Sequence, residues 1–198
     1  WKDSIFPVIF SLTSFQTGLG IILVILYIMR RWGGYQEYIG ISVFWSASKL
    51  LLAFTLLWIY HTFAFLITYW FGRMEVEQNI VNYFFIQSYG WVFVANVVFT
   101  FAVPFLILLW NPVRKTAWGP ALAGLSALVG GSLFILRTFV GAFNAGDIYA
   151  LGMDHVPAPA YPDVWDIFMV IGILGAAAFT YMVACKLLPM ISVWETKE

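Results

Sequence analysis

The chain has 198 residues, of which 62% are hydrophobic and 10% are charged. A soluble domain carries about 25% charged residues, so this composition excludes a water-covered surface and predicts an integral membrane protein. Ten Lys and Arg balance ten Asp and Glu, which argues against nucleic acid as a partner. The single cysteine, Cys185, excludes disulfides, Cys-ligated iron–sulfur clusters and Cys-based zinc sites within the chain.

Five segments are long and apolar enough for membrane helices, which need about 20 mostly apolar residues. In chain order they cover about residues 5–29, 39–72, 80–110, 118–143 and 163–188. The first is predicted to stop at Arg30-Arg31, and the third and fifth at prolines. The sequence therefore predicts an all-α integral membrane fold with five transmembrane helices in a single transmembrane domain, residues 1–198.

The charged loops predict an orientation. If the chain threads back and forth, Lys2 and Arg73 fall on one side and six basic residues on the other: Arg30, Arg31, Arg114, Lys115, Lys186 and Lys197. Basic residues favour the cytoplasmic side, so we expect the N-terminus outside and the C-terminus in the cytoplasm. The longest loop, residues 144–163, is either a solvated connector or a contact for an external partner.

One permanent charge lies inside the fourth helix, at Arg137. At about 100° per residue, one narrow arc of this helix holds Gly119, Ala123, Ser126, Gly130, Arg137 and Gly141. Small residues allow a second helix to approach closely, so we expect Arg137 to face protein rather than lipid. It could cap carbonyl groups, pair with a carboxylate, extend outward to the interface, or control a proton or quinone site.

Other polar residues form stripes on the remaining helices. The first helix carries Ser11, Ser14 and Gly18 on one face, with Gln16 and Thr17 pointing elsewhere. The second carries His61, Thr68 and Gly72; the third carries Tyr89, Asn96 and Thr100; and the fifth has a small-residue stripe at Gly172, Gly175 and Ala176.

These positions suggest candidate residues for proton movement. Their arrangement favours two half-pathways over one continuous pathway across the membrane. The candidates are His61, Arg137, Lys49, Gln87, Asn96, Glu75 and Glu77. Histidine titrates near neutral pH, but His61 could instead bond a Ser or Thr hydroxyl in the core. Lys49 could extend to the interface. The two glutamates are solvated loop acids, the outer mouth of a path, or a counter-charge for Arg137. No catalytic or metal site is predicted.

Several segments together resemble a known family. They are WKDSIFP at residues 1–7, FSLTSFQTGLG at 10–20, YGW at 89–91 through Pro104 and Leu108-Leu109, GGSLFILR at 130–137, and LPMISVWE at 188–195. This set resembles the C-terminal half of the NrfD/PsrC family, the membrane subunits of quinone-linked oxidoreductases. The tail is similar to that of the alternative complex III and DsrP branches.

The resemblance implies a four-helix bundle plus one extra C-terminal helix, from a larger subunit in a bacterial or archaeal cytoplasmic membrane. The start at Trp1 rather than Met fits the expectation that an N-terminal part is missing. The family places quinone in that other bundle, so no quinone ligand is carried over. It implies an iron–sulfur partner subunit, other membrane subunits and the quinone pool of a respiratory electron-transport chain. Iron–sulfur clusters and haem would belong to partners, and this chain would hold no redox centre.

Within the resemblance, a part in proton movement is carried over to Arg137 by motif match, while His61 is added from its depth and face. Two other functions stay open at this stage. The chain could be a structural membrane anchor whose polar residues serve assembly. It could also be a fragment of a secondary transporter in which His61 and Arg137 bind an anionic substrate, although no inverted repeat is visible.

Overall fold

The computed structural model describes residues 4–145 and 155–187. The predicted features at residues 1–3, in the loop at 146–154, and in the tail at 188–198 lie outside these ranges. The described residues are helical or irregular and contain no strand. The chain divides into two compact units, Trp1–Pro159 and Ala160–Glu198.

The first unit is built from consecutive helices, three of which are π-helical segments. In chain order they are α1 (Phe6–Trp32), α2 (Ile41–Gly72), α3 (Glu75–Val81), π1 (Asn82–Ile86), α4 (Gly90–Val97), π2 (Val98–Ala102), α5 (Val103–Leu109), α6 (Asn111–Arg114), α7 (Trp118–Ile135), π3 (Leu136–Val140) and α8 (Gly141–Asn144). The second unit contains α9 (Val164–Leu187).

Five helical stretches are long and apolar enough to cross a membrane, which confirms the prediction of an all-α, multi-pass membrane protein. We number them as spans: the first is Phe6–Trp32, the second Ile41–Gly72, the third Gly90–Leu109, the fourth Trp118–Asn144 and the fifth Val164–Leu187. Four spans belong to the first unit and one to the second, which agrees with the predicted four-helix bundle plus one extra C-terminal helix.

Two predicted boundaries differ from the structure. The first span, predicted to end at about residue 29, continues through Arg30-Arg31 to Trp32, since arginines in a last turn complement the negative end of a helix. The third segment is not one helix over 80–110, because the chain leaves helical geometry between Ile86 and Gly90. The Tyr89 amide bonds the Tyr83 carbonyl across this break, at 3.0 Å. The apolar composition of this segment does not reveal the break between Ile86 and Gly90.

The fourth span lies at the centre of the first unit and packs against the other three spans. Ten of the 18 residues of α7 are buried, and most of them are glycine or alanine. A methyl group on Gly20 would overlap the backbone of Gly124, and one on Gly130 would overlap Thr100. Close approach at small residues is how membrane helices associate, so the predicted small-residue face of this helix is confirmed.

The end of the first unit that carries Arg30, Arg31, Arg114 and Lys115 is called here the basic end. Its core is apolar, formed by Leu23, Ile39, Phe44, Leu51, Leu108, Ala123 and Ala127. The Arg30 guanidinium donates to the backbone carbonyls of Gln36 and Ile39, which fastens the loop between the first two spans.

Over residues 160–187, the part that the structure describes, the second unit contains one helix with a well-formed start. Asp163 Oδ1 accepts hydrogen bonds from the amides of Trp165 and Asp166, at 2.9 and 3.0 Å. Asp166 Oδ2 in turn accepts from the Asp163 amide at 3.0 Å, which is a reciprocal capping box. Within this unit, nothing packs against the predicted stripe at Gly172 and Gly175.

Candidate functional site: a polar core and a buried arginine

Four spans bring hydrogen-bonding side chains together in the middle of the first unit. We call this set the polar core; it consists of Thr13, Gln16, Thr55, Asn96, Thr100 and Ser126. All six are buried, and Gln16, Thr55, Asn96 and Thr100 have no exposed surface. In a bilayer no water competes for such groups, so their partners must come from inside the bundle.

The first and second spans are joined through two hydrogen bonds of this core. The indole N–H of Trp58 donates to Thr13 Oγ1 at 2.9 Å. The side-chain amide of Gln16 donates to Thr55 Oγ1 at 3.0 Å. The same amide nitrogen also lies 3.4 Å from the Thr100 carbonyl oxygen in the third span. Gln16 therefore contacts two neighbouring spans at once.

The third and fourth spans are joined by Asn96 and Ser126. The Asn96 amide donates to Thr100 Oγ1 at 2.9 Å and to the Gly130 carbonyl at 2.8 Å. Ser126 Oγ donates to the Phe99 carbonyl at 2.7 Å. Because Gly130 has no side chain, Thr100 lies directly against the fourth span and Asn96 reaches its backbone.

A proline removes one backbone donor from the third span. Pro104 has no N–H group, so it cannot bond a carbonyl of the preceding turn. In π2 the Val103 amide bonds the Val98 carbonyl, five residues back, and the carbonyls of Phe99 and Thr100 receive side-chain donors from neighbouring spans. Side chains of neighbouring helices commonly satisfy backbone groups freed in this way.

The same π-helical segment keeps one face of the third span buried along its length. Its buried residues recur every four positions, at Val92, Asn96, Thr100, Pro104 and Leu108. In a regular α-helix a four-residue repeat drifts around the axis, whereas the wider π turn compensates for that drift. π-Helical turns occur frequently at functional sites.

Arg137 lies in π3 of the fourth span and is 5% exposed. Its Nη1 donates to the Phe84 carbonyl at 3.4 Å, and its Nε has no acceptor. The guanidinium carbon lies 4.5 Å from the ring centre of Phe85, 5.0 Å from Phe93 and 5.8 Å from Phe134. The prediction that Arg137 faces protein is confirmed.

Of the two kinds of partner that the sequence suggested for Arg137, the structure shows a carbonyl group and not a carboxylate. Over residues 4–145 and 155–187, no Asp or Glu makes an ion pair with it, and Glu75 and Glu77 are not its counter-charge. A carbonyl oxygen and three aromatic faces meet the cation, and aromatic rings attract cations through their negative faces. This arrangement keeps a permanent charge buried with no anion from the described part of the chain.

A second polar cluster closes the end of the bundle near Arg137. Tyr83 OH donates to the Gly141 carbonyl at 3.0 Å and accepts from the Asn144 amide at 2.9 Å. Asn144 also donates to the Ala158 carbonyl, and Ser88 donates to the Pro157 carbonyl, each at 2.7 Å. These bonds fasten residues 157 and 158 of the long loop to the first unit.

Of the seven proton-path candidates, the structure buries only Asn96 and Arg137. His61 is partly exposed; its Nδ1 lies 2.8 Å from the Leu57 carbonyl of its own helix, rather than against a Ser or Thr hydroxyl. Lys49 is exposed, with its ammonium 3.8 Å from the ring centre of Trp45. Gln87 and Glu75 are exposed, and Glu77 is partly exposed.

The candidates therefore do not form one cluster. Asn96 belongs to the polar core, Arg137 lies among phenylalanine rings in the same unit, and His61 and Lys49 lie on the outer surface of the second span. No hydrogen bond between described residues connects Asn96 to Arg137 or either of them to His61.

Three polar-core residues were not predicted from the sequence, namely Thr13, Gln16 and Thr55. Gln16 was assigned to a face away from the serines. The buried positions of α1 are Ile9, Leu12, Thr13, Gln16, Gly20 and Leu23. The spacing of Ile9, Thr13, Gln16, Gly20 and Leu23 alternates between three and four residues, which is the pattern of one helical face. Ser11, Ser14 and Gly18 lie on the exposed side.

Among the described residues, no group of three His, Cys, Asp or Glu side chains is arranged to hold a metal ion. In comparisons with known proteins, no family model matches the chain and no curated protein matches it.

Proposed function

We propose that this chain is an integral membrane subunit of a quinone-linked oxidoreductase complex in a bacterial or archaeal cytoplasmic membrane. In this role it anchors an iron–sulfur subunit and takes part in proton movement. The observation that carries the proposal is Arg137, a permanent charge kept inside the four-span unit although no described carboxylate neutralises it. Ionisable residues within membrane spans are costly and commonly mark functional sites.

The resemblance to the NrfD/PsrC family supports the proposal at the same place. Its GGSLFILR segment, residues 130–137, runs from the glycine that contacts Thr100 to Arg137 itself. These residues join the polar core to the arginine along one buried face. The segment therefore combines the family-like pattern with the main polar features of the unit.

Arg137 acts on protons through its field rather than by releasing one, because a guanidinium stays protonated in proteins. A fixed positive charge makes the surrounding bundle unfavourable for a proton that arrives without a counter-charge. Proton movement would then depend on a nearby anion or on redox events in a partner that change the local charge. Such a device needs an element with two states to gate it.

His61 would serve at the surface of the unit, not in its interior. Its ring lies edge-on to Tyr60, with centres 5.1 Å apart, on the outer side of the second span. A neighbouring membrane subunit that covers this surface would bury the imidazole and make a boundary site for protons. In the proposed topology the basic end faces the cytoplasm, in line with the preference of Arg and Lys for that side.

A second candidate function is a structural anchor without a proton role. It is favoured by the donors of the polar core, because the amides of Gln16 and Asn96 are engaged in contacts that join spans. In this case Arg137 would stabilise the assembled complex, and its substitution would affect assembly before it affected turnover.

The test uses the complete complex, purified through this chain and reconstituted in liposomes. Arg137→Gln and His61→Ala variants are compared with Ser132→Ala, an exposed residue whose hydroxyl bonds its own helix. We expect the complex to contain iron–sulfur subunits. We also expect Arg137→Gln to lower proton release per quinol oxidised at least twofold while the subunits stay together, with Ser132→Ala unchanged.

Two results would contradict the proposal. If both variants assemble and release protons as the unmodified complex does, the proton role is wrong. If Arg137→Gln loses subunits and nothing else, the anchor function is correct. A preparation without any iron–sulfur partner would reject membership in such a complex altogether.

A further inference from the structure

Two carbonyl oxygens of the polar core receive no hydrogen bond from any residue in the ranges 4–145 and 155–187. They are Gln16 Oε1 and Asn96 Oδ1, and both residues have no exposed surface. An unsatisfied buried polar group costs about 1–3 kcal/mol, and a bilayer offers no solvent to reduce that cost. Two such atoms in one cluster point to a bound molecule, called here the guest, that donates hydrogen bonds to them.

The orientation of both side-chain amides is determined by their surroundings. The Gln16 nitrogen faces the Thr100 carbonyl, and the Asn96 nitrogen faces the Gly130 carbonyl. If either amide were turned over, its oxygen would face a carbonyl oxygen that cannot donate a hydrogen bond. The unpartnered atoms are therefore acceptors, and exchanging oxygen for nitrogen does not remove them.

Both amides converge on one residue. Gln16 contacts the carbonyl of Thr100, and Asn96 contacts its hydroxyl. The two free oxygens therefore belong to side-chain amides that meet at Thr100, where the first, third and fourth spans pack together. The guest must be small, because at Gly130 a methyl group would already overlap Thr100.

The charges of the unit favour a neutral guest over a cation. The four spans of the first unit contain no Asp or Glu, and Arg137 adds a positive charge seven residues beyond Gly130. A metal cation at this depth would lack an anionic ligand and would be repelled by the guanidinium. Water is the small neutral molecule that can donate to two acceptors at once.

We propose that Gln16 Oε1 and Asn96 Oδ1 form an internal water-binding site, in which bound water completes the hydrogen bonding of the polar core. The site joins the first, third and fourth spans next to the Thr100 carbonyl, which already accepts from Gln16. It does not rest on the proposed function, since the same site would exist in a structural anchor.

Infrared spectroscopy can test the site on the complete chain. The side-chain carbonyl carbons of glutamine are labelled with ¹³C, and the spectrum of a Gln16→Met variant is subtracted to isolate the Gln16 band. The same subtraction with Gln87→Met gives the band of an exposed, solvated glutamine as the matched control. We expect the Gln16 carbonyl to absorb at the lowered frequency of a hydrogen-bonded group, close to that of Gln87.

Other outcomes would overturn the inference. A Gln16 band at the higher frequency of a free carbonyl means that the site is dry. A band that moves when sodium is replaced by choline means that the guest is a cation. If Gln16→Met does not fold, a high-resolution map of the unmodified chain decides. Water density within about 3.2 Å of both oxygens is expected, and its absence refutes the site.

Discussion

The second and fourth spans are both long, apolar helices, yet they occupy different places in the same unit. Six of the 32 residues of α2 are buried, against ten of the 18 residues of α7. The buried residues of α2 include large side chains such as Phe44 and Trp58, whereas those of α7 are mostly glycine and alanine. The size of the side chains on the contact face, rather than the hydropathy of the helix, determines which helix lies at the centre of the first unit.

The same difference determines how each span holds its charged or titratable residues. His61 and Lys49 lie on the outer side of the second span, against Tyr60 and Trp45 respectively. Arg137 lies on the buried side of the fourth span among phenylalanine rings. A polar residue on the buried face of a helix that packs against three others has no route to lipid, so its partners must be protein atoms.

We expect the largest effect from a variant that prevents the close packing of the fourth span against its neighbours. In Gly130→Leu the new side chain would overlap Thr100, so the third span has to move and the Asn96 contact is lost. Overpacking of this kind costs about 3 kcal/mol of unfolding free energy. Unfolding by titration with sodium dodecyl sulfate, followed by tryptophan fluorescence, measures the loss.

Gly18→Leu is the matched control, since nothing lies within 4 Å of a methyl group at Gly18. Its unfolding free energy should change by less than about 0.5 kcal/mol. Equal losses in the two variants would mean that the glycine contact at residue 130 does not determine the packing.

A smaller effect is expected when the polar link between the third and fourth spans is removed. Asn96→Leu is similar in volume but leaves the Gly130 carbonyl and the Thr100 hydroxyl without this partner. Hydrogen bonds between membrane helices contribute about 0.6 kcal/mol on average, up to about 1.7 kcal/mol. We expect a loss of about 1–2 kcal/mol in the same titration.

Ser132→Ala serves as the control for Asn96→Leu, because its hydroxyl bonds only its own helix and is exposed. It should have no measurable effect on stability. An Asn96→Leu variant as stable as the unmodified chain would show that the amide link is not needed to hold the two spans together.

Much of the fold could be predicted from the sequence, because length and apolar composition identify membrane helices and small residues identify a packed face. This is why the position of Arg137 was predicted correctly from Gly119, Gly130 and Gly141. The interruption before Gly90 could not be predicted in the same way. It depends on tertiary contacts, such as the bond from Tyr83 to the Gly141 carbonyl, that no local pattern contains.

The site was harder to predict than the fold. Gln16 was missed because serines and glycines on the opposite side of α1 gave a competing polar stripe. The π-helical segments are also invisible to a calculation that advances every residue by 100°. Pro104 was recognised as a motif residue, but the side-chain donors that reach the nearby carbonyls, from Gln16 to Thr100 and from Ser126 to Phe99, are visible only in the structure.

The smallest expected effect has the opposite sign and concerns the buried charge itself. Arg137→Met retains a long, flexible side chain but removes a cation that no described carboxylate neutralises. The variant loses its contacts with the Phe85 and Phe93 rings, which contribute about 0.5–2 kcal/mol. It also removes a desolvation cost of several kcal/mol, so the unfolding free energy of the isolated chain should rise by about 1 kcal/mol.

His61→Leu, on the outer side of the second span, is the control and should change the unfolding free energy by less than about 0.5 kcal/mol. If Arg137→Met instead destabilises the chain by more than about 1 kcal/mol, the contacts of the guanidinium outweigh its desolvation cost, and the prediction is wrong.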